Sequence, residues 1–263
     1  MKTDREAPVG VFDSGVGGLT VAREIMRNLP SEKIVYFGDT ARVPYGNKSR
    51  ETVIRYSHQI CRFLQEQQVK AIVVACNTAS AFALDAIRDD FDIPIIGVIE
   101  AGAKVAAART RNKRVGIIGT VGTVGSGIHA EYLRKLDPEI TVFGKACPLF
   151  VPLVEEGWLH DPVTTEVAAR YLKELQDKKV DTLILGCTHY PLLRSTIREI
   201  MGEDVCLVNP AYETALELGR LLTEKGLSST GAQQKEFPYR FFVSDLADEF
   251  KEFANSILPY DVE

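Results

Sequence analysis

The chain has 263 residues, of which 45% are hydrophobic and 25% are charged, and its formal net charge is −5 at pH 7. That length and composition are typical of an ordinary soluble protein with one large domain or two modest ones. The slight acidity argues against nucleic-acid and anionic-membrane partners, and no uninterrupted apolar run is long enough to span a bilayer.

Short β-prone runs alternate with longer helical patterns along the whole chain, which indicates βαβ units and a mainly parallel sheet. Between the second and third runs, apolar residues recur at helical spacing from Ser49 to Gln68. Asn209 and Pro210 predict the start of a later helix, which Gly226 ends. The predicted strands are Val9–Phe12, Lys33–Phe37, Ala71–Ala75, Ile95–Ile99, Arg114–Ile118, Ile140–Phe143, Thr182–Leu185, Val205–Val208 and Arg240–Val243.

The start of the chain and its cysteines indicate where the protein works. Residues 1–6 are polar and lead directly into a strand, which is not the pattern of a signal peptide. The five cysteines are odd in number, and four of them lie in or beside predicted core elements, so a disulfide framework is not expected. We therefore expect a reduced, cytoplasmic protein.

The two halves of the sequence echo each other. The pattern of Val9–Gly15 returns in Val115–Val121, and a cysteine at a strand end follows at a comparable distance in each half. Similar βα units occur in many proteins, so the echo alone leaves one domain or two homologous lobes open. The second interpretation assigns 1–99 and 209–263 to a first lobe and 100–208 to a second, each supplying a thiol to a shared cleft.

Cys76 and Cys187 each follow an apolar strand and precede a helix-like pattern. A thiol at the carboxyl end of a parallel strand faces the crevice where open α/β sheets bind ligands. An unperturbed thiol has a pKa of roughly 8.5, and helix N–H groups favour the thiolate that a base must be. We predict two acid/base thiols acting on one carbon from opposite faces. Cys61, Cys147 and Cys206 have the apolar surroundings of inert core cysteines.

Zinc binding is the competing interpretation. Cys187 and His189 are two residues apart and could converge with Cys76 on one ion. The sequence has only four histidines and contains no CxxC or HxxxH element, so we predict no metal. His189 is then expected to hold or protonate a neighbour of Cys187, or to be a structural histidine.

Two loops in the first half follow predicted strands. Asp13–Gly18 permits a tight turn with amides facing a ligand, but it lacks the dinucleotide and P-loop signatures. Asp13 ends its strand at the same sheet edge as Cys76, which suits an assistant to the thiol or a partner for an ammonium group. Tyr45 and Gly46 could offer a hydroxyl and a backbone amide to a carboxylate, or simply form a turn.

In the second half, Thr120 and Thr123 occupy the loop that corresponds to Asp13–Gly18. Glu155 is either a surface acid at a helix end or a cleft carboxylate, and its spacing does not decide between them.

Together these motifs resemble the cofactor-independent aspartate/glutamate racemase family. The resemblance implies two pseudo-symmetric flavodoxin-like α/β lobes with mainly parallel sheets and an active site in the interlobe cleft. It also implies a homodimer that interconverts L- and D-glutamate without pyridoxal phosphate or metal, supplying D-glutamate for peptidoglycan. The segments that carry it, in the family's order, are Phe12–Leu19, Gly38–Gly46, Ala75–Ala79 and Leu185–Pro191.

The resemblance also implies roles for single residues. Cys76 would remove the α-proton from D-glutamate and Cys187 would remove it from L-glutamate, with the opposite thiol returning a proton each time. Asp13 and His189 would assist their respective thiols. The residues implied to bind the substrate are Asp13, Ser14, Tyr45, Gly46, Asn77, Thr78, Thr120, Glu155 and Thr188.

Other functions remain open at this point. A related racemase could act on aspartate, since the sequence does not reveal the cleft dimensions, and a related decarboxylase would leave the second cysteine unexplained. A non-catalytic amino-acid binding protein needs polar clamps but no paired thiols. A thiol–disulfide switch would join Cys76 and Cys187 in one bridge.

Overall fold

The computed structural model describes residues 4–231, 238–259 and 262, so the first three residues of the polar start lie outside it. The chain divides into two compact units, one formed by Met1–Val98 with Ala211–Glu263 and the other by Ile99–Pro210. The second unit is thus continuous in sequence, whereas the first is built from both ends of the chain.

The first unit contains β1 (Val9–Asp13), α1 (Leu19–Asn28), β2 (Ile34–Gly38), α2 (Arg50–Glu66), β3 (Ala71–Val74), α3 (Asn77–Phe82), α4 (Leu84–Asp90), β4 (Ile95–Gly97), α11 (Pro210–Glu224), β9 (Tyr239–Val243) and α12 (Ala247–Ile257). Two short 3-10 helices, Thr40–Arg42 and Tyr45–Asn47, lie between β2 and α2. Within the described residues, its sheet has five strands in the order β4-β3-β1-β2-β9, and every neighbouring pair is parallel.

The second unit contains α5 (Val98–Arg109), β5 (Arg114–Gly119), α6 (Val121–Gly125), α7 (Ile128–Leu136), β6 (Thr141–Ala146), α8 (Phe150–Glu155), α9 (Pro162–Asp177), β7 (Thr182–Gly186), α10 (Arg194–Met201) and β8 (Cys206–Val208). A 3-10 helix, Tyr190–Leu193, precedes α10. Its sheet, in the part of the chain that is described, is four-stranded and parallel in the order β6-β5-β7-β8.

The two sheets share one strand order. In each unit the second strand lies beside the first, and the third and fourth follow on the other side, with β9 added to the edge of the first sheet. This is the 2-1-3-4 order of doubly wound proteins, in which the connections change direction between the first and third strands. The predicted α/β class, the parallel sheets and the repeated architecture are confirmed.

The predicted strands are all present in the described part of the chain, with small shifts at their ends. β4 stops at Gly97 because Val98 already begins α5. β6 continues to Ala146, beyond the predicted end at Phe143, although Gly144 and Lys145 give no apolar signal.

The two helices read from sequence are confirmed. The α2 helix begins after Ser49, whose hydroxyl accepts the Thr52 N–H at 3.3 Å. Pro210 begins α11, and Gly226 follows its end with a positive φ of 66°. The apolar face of α2, which includes Val53, Ile60 and Leu64, lies in the core of the first unit, so the periodicity that predicted α2 also fixes its orientation. No helix among the described residues is long and apolar enough to cross a membrane.

A buried ion pair lies outside the hydrophobic core of the first unit. The Lys70 ammonium is inaccessible to solvent and lies 2.5 Å from a carboxylate oxygen of Glu32, which is 4% exposed. Lys70 also donates to the Arg5 carbonyl at 2.6 Å, and Glu32 accepts the Ser229 N–H at 2.8 Å. The Lys70–Glu32 pair therefore connects the segment around Arg5, near the start of the chain, with the segment around Ser229.

Replacing Lys70 by methionine should lower the free energy of unfolding by about 3–5 kcal/mol, because the Glu32 carboxylate stays buried without its counter-charge. Chemical denaturation of the purified variant measures this. The matched control is Arg170→Met, which breaks the exposed Arg170–Glu166 pair (2.8 Å) and should cost less than about 1 kcal/mol. Equal costs for the two variants would contradict the role given to burial.

Candidate active site

Most of the predicted site residues of each unit lie at or just after the carboxyl ends of its first and third strands, where doubly wound sheets bind ligands. In the first unit these ends carry the Cys76 cluster, defined as Asp13, Ser14, Cys76, Asn77 and Thr78. In the second unit the Cys187 cluster consists of Cys187, Thr188 and His189 after β7, with Glu155 from the end of α8.

Cys76 is 5% exposed and occupies the N-cap position of α3. Its Sγ accepts the backbone N–H of Ala79 at 3.4 Å, as a serine or aspartate oxygen does in other caps. The thiol donates to Ser14 Oγ at 3.7 Å. Because an N–H that points at sulphur favours its negative form, this position favours a thiolate.

Asp13 ends β1, beside the strand that leads to Cys76, and is completely buried. Its Oδ2 accepts the Gly15 N–H at 3.0 Å. A Cβ added to Gly18 would lie 2.3 Å from the Asp13 Cβ, so only glycine fits there. Burial, together with the charges of Asp13 and Cys76, raises the pKa of Tyr36, which stays protonated and donates to the Gly15 carbonyl at 2.8 Å. The glycine-rich loop is thus held by the Asp13 carboxylate at its start and by the Tyr36 hydroxyl from β2.

Asn77 and Thr78, which open α3, are 4% and 2% exposed. Among the described residues no hydrogen-bond partner is found for the buried Asn77 Oδ1. An unsatisfied buried acceptor costs free energy, so this oxygen is suited to receive a donor from a ligand. An ammonium group is such a donor.

The structure corrects the sequence analysis at Tyr45. A contact between its hydroxyl and a substrate carboxylate was one of two alternatives, but the ring is 1% exposed and the hydroxyl donates to Asp39 Oδ2 at 2.5 Å. Burial, and then the hydrogen bond to Asp39, raises the pKa of Tyr45. What this segment can still offer to a carboxylate is backbone N–H, including that of Gly46. No role for Asp39 is predicted from the sequence.

In the second unit, Cys187 is 7% exposed and directly follows β7. The helix expected immediately after it is wrong: a 3-10 helix begins only at Tyr190, and α10 begins at Arg194. Cys187 therefore caps no helix. Its Sγ instead lies 3.8 Å from His189 Nδ1.

His189 joins Cys187 to Glu155, whose Oε1 lies 3.0 Å from His189 Nε2. Burial alone would lower the pKa of His189, but the hydrogen bonds and negative charges of Cys187 and Glu155 outweigh it and raise the pKa to about 10. The imidazole is therefore protonated at neutral pH and can stabilise a thiolate at Cys187. The ambiguity over Glu155 is resolved in part, since this acid contacts the histidine beside the thiol.

The threonines of the second unit lie at the same strand ends. Thr120 follows β5 and caps α6, with its Oγ1 accepting the Thr123 N–H at 3.1 Å. The two threonine hydroxyl oxygens are 3.0 Å apart. Thr188, 7% exposed, follows Cys187. Thr120 and Thr188 are thus on neighbouring strand ends, because β5 pairs with β7.

Two of the remaining cysteines behave as core residues. Burial raises the pKa of the Cys61 and Cys147 thiols to about 12, which keeps them protonated. Cys147 nevertheless has a structural role that the sequence did not reveal, since its carbonyl accepts the Tyr190 hydroxyl at 2.8 Å and its N–H donates to the Gly119 carbonyl at 2.9 Å. It joins the ends of β5 and β7 through backbone contacts. In the described ranges no group of three or more His, Cys, Asp or Glu residues is arranged to hold a metal ion.

Replacing Glu155 by glutamine should lower the pKa of His189 from about 10 towards 6.5, because one of the two negative neighbours that raise it is removed. An NMR titration of the imidazole Cε1 protons measures the change. His129 is the internal control: burial lowers its pKa to about 4, and Glu155 is not among the causes. If His189 titrated at the same pH in both proteins, the Glu155 contact would have no electrostatic effect.

Comparison with known proteins gives one consistent result. The family profile described as Asp/Glu/hydantoin racemase matches residues 16–216. A curated protein of Geobacter metallireducens named glutamate racemase is 51% identical over 95% of this chain and 92% of its own length. The crystal structure of a glutamate racemase isoform from Bacillus anthracis has a TM-score of 0.94 and 42% identity, covering 98% of this chain and 96% of its own. The Francisella tularensis glutamate racemase in complex with D-glutamate has a TM-score of 0.91 and 40% identity with the same coverage.

Proposed function

This chain belongs to the Asp/Glu/hydantoin racemase family, and we propose that it is an isomerase that interconverts L- and D-glutamate by two-thiol proton transfer without a cofactor. One observation carries the mechanism: each unit has a buried cysteine at the carboxyl end of its third strand, with groups that favour its thiolate. The 51% identity to a protein named glutamate racemase supports the substrate, as does the likeness to a structure solved with D-glutamate.

The reaction needs two groups with opposite protonation states. Cys76, as the thiolate, takes the α-proton of D-glutamate, and the Cys187 thiol delivers its proton to the other face of the carbon. L-Glutamate results, with Cys76 protonated and Cys187 ionised. In the reverse direction the roles exchange, so no proton or electron is gained or lost by the enzyme over a full cycle.

Each thiol has its own assistant. His189, held by Glu155 and positively charged at neutral pH, stabilises the Cys187 thiolate electrostatically. Asp13, at the neighbouring strand end, assists Cys76, whose sulphur also receives the Ala79 N–H. One thiol thus uses mainly a side-chain cation and the other a backbone donor.

The amino acid's polar groups are held by residues from both clusters. We assign the ammonium group to Asn77 Oδ1 with Asp13, because both are buried acceptors. Backbone N–H groups of Tyr45 and Gly46 bind a carboxylate. The further proposed contacts, from hydroxyl and carboxyl groups, are Ser14, Thr78, Thr120, Glu155 and Thr188.

The proposal also includes a role for the protein in the cell. D-Glutamate is a building block of peptidoglycan, and we propose that this chain supplies it as a homodimer in the cytoplasm. Support comes from the family resemblance of its motifs. An aspartate racemase with the same thiols is the nearest alternative, and it differs only in the length of substrate accepted.

Proton NMR in D₂O tests the mechanism. With L-glutamate, the wild type should form D-glutamate that carries deuterium at Cα while unreacted L-glutamate keeps its proton, because the proton removed by one thiol is not the one delivered by the other. Cys76→Ser and Cys187→Ser should each slow racemisation by roughly 10²–10⁴-fold.

Cys206→Ser is the matched control, since Cys206 is half-buried in β8 and belongs to neither cluster. Return of the substrate's own proton to the product would refute the two-thiol mechanism. Exchange with aspartate but not with glutamate would retain the mechanism and change the substrate. Binding of glutamate with no exchange at all would favour a binding protein.

A further inference from the structure

Asp39 is a buried carboxylate that the proposed chemistry does not use. It follows β2, is 1% exposed, and both of its oxygens have hydroxyl donors. Tyr45 donates to Oδ2 at 2.5 Å and Ser244 donates to Oδ1 at 3.0 Å, while the Arg42 guanidinium lies 3.6 Å from Oδ2. A carboxylate this well satisfied orders the groups around it, because hydrogen bonds to a charged acceptor are stronger than those between neutral groups.

The backbone of Asp39 is attached to the Cys76 cluster. Its N–H donates to the carbonyl of Asp13 at 3.0 Å, and its own carbonyl accepts the Arg42 N–H at 3.0 Å. Asp39 therefore starts the segment 40–46 from a point fixed against the end of β1.

Ser244 brings the end of β9 to the same place. Its N–H donates to the Gly38 carbonyl at 3.1 Å, and its hydroxyl oxygen accepts the Ala41 N–H at 2.9 Å. The Asp245 N–H donates to Thr40 Oγ1 at 2.9 Å. A serine 205 residues away in sequence thus fixes both the Asp39 carboxylate and the loop that follows it.

Tyr45 transmits this order to the backbone that we assigned to the substrate carboxylate. Its ring lies in the core of the first unit, 5.8 Å from the ring of Tyr56, and a buried phenol needs a hydrogen-bond partner. Asp39 supplies that partner. With the side chain held at both ends, the N–H groups of Tyr45 and Gly46 have little freedom to move.

We propose that Asp39, acting through Tyr45 and supported by Ser244, is a positioning residue that fixes the Tyr45–Gly46 backbone for binding a substrate carboxylate. The inference rests on the proposed glutamate racemase function. The inference gives Asp39 and Ser244 a role in substrate binding, although neither contacts a reacting atom. Displacement of substrate-binding groups by even an ångström is costly to catalysis, so the effect of losing this anchor should be measurable.

The test compares Tyr45→Phe, Asp39→Asn and Ser244→Ala with the matched control Tyr56→Phe, which removes a hydroxyl from the neighbouring ring. Steady-state racemisation of glutamate is followed in both directions, with thermal melting of each variant. We expect KM to rise about tenfold or more in Tyr45→Phe and Asp39→Asn. We expect a smaller rise in Ser244→Ala, with kcat changed less than KM and with both constants unchanged in Tyr56→Phe.

Amide hydrogen exchange of segment 40–46 measures the order of this backbone independently of the racemisation assay. Faster exchange there in Tyr45→Phe, with other segments unchanged, supports the positioning role. A lower melting temperature with unchanged KM would show a purely structural role and overturn it. If the wild type does not racemise glutamate, the proposed function fails, and exchange alone then decides whether Asp39 orders this segment. Should Asp39→Asn not fold, Tyr45→Phe and Ser244→Ala still decide.

Discussion

A thiolate shielded from water must obtain from the protein the stabilisation that water would give it. This constraint governs both clusters, because Cys76 and Cys187 are 5% and 7% exposed. The protein can supply this stabilisation where the connections of a parallel sheet change direction. At that point the loops and helix starts that follow two neighbouring strands meet at the carboxyl ends of the strands. The repeated 2-1-3-4 order creates such a place once in each unit.

The two units answer the same constraint with different chemistry. Cys76 caps α3 and receives a backbone N–H, so its environment depends on helix geometry. Cys187 precedes no helix directly and depends on His189, whose charge in turn depends on Glu155. Because the pKa of His189 is about 10, its charge persists across the neutral range and is lost only in alkali. The symmetry of the fold therefore does not extend to the protonation chemistry.

Local sequence patterns predicted most of the strands and helices of this molecule, but they did not predict which side chains contact each other in the site. The strands and α2 could be found because burial imposes a periodicity that is visible within ten or twenty residues. The helical structure after Cys187 begins only at Tyr190, as a 3-10 turn with Pro191 in its first turn, although the sequence predicted a helix closer to the cysteine. The sequence leaves open whether the Tyr45 hydroxyl serves a ligand or a turn, and whether Glu155 lies at the surface or near the thiol. Asp39 lies only six residues before Tyr45, but no residue pattern states which side chain of an irregular loop accepts a hydrogen bond. His189 lies 34 residues after Glu155, and the fold brings the two together.

The two clusters differ in how far apart in sequence the residues that support them lie. The second unit is continuous from Ile99 to Pro210, so every residue of the Cys187 cluster comes from one uninterrupted segment. The first unit gains its edge strand, β9, only from the other end of the chain. Ser244, which follows that strand, holds the Asp39 carboxylate. The order around Tyr45 and Gly46 therefore depends on a hydrogen bond between residues 205 apart in sequence. The segment assigned to a substrate carboxylate thus depends on both ends of the chain, whereas the Cys187 cluster depends on one continuous segment.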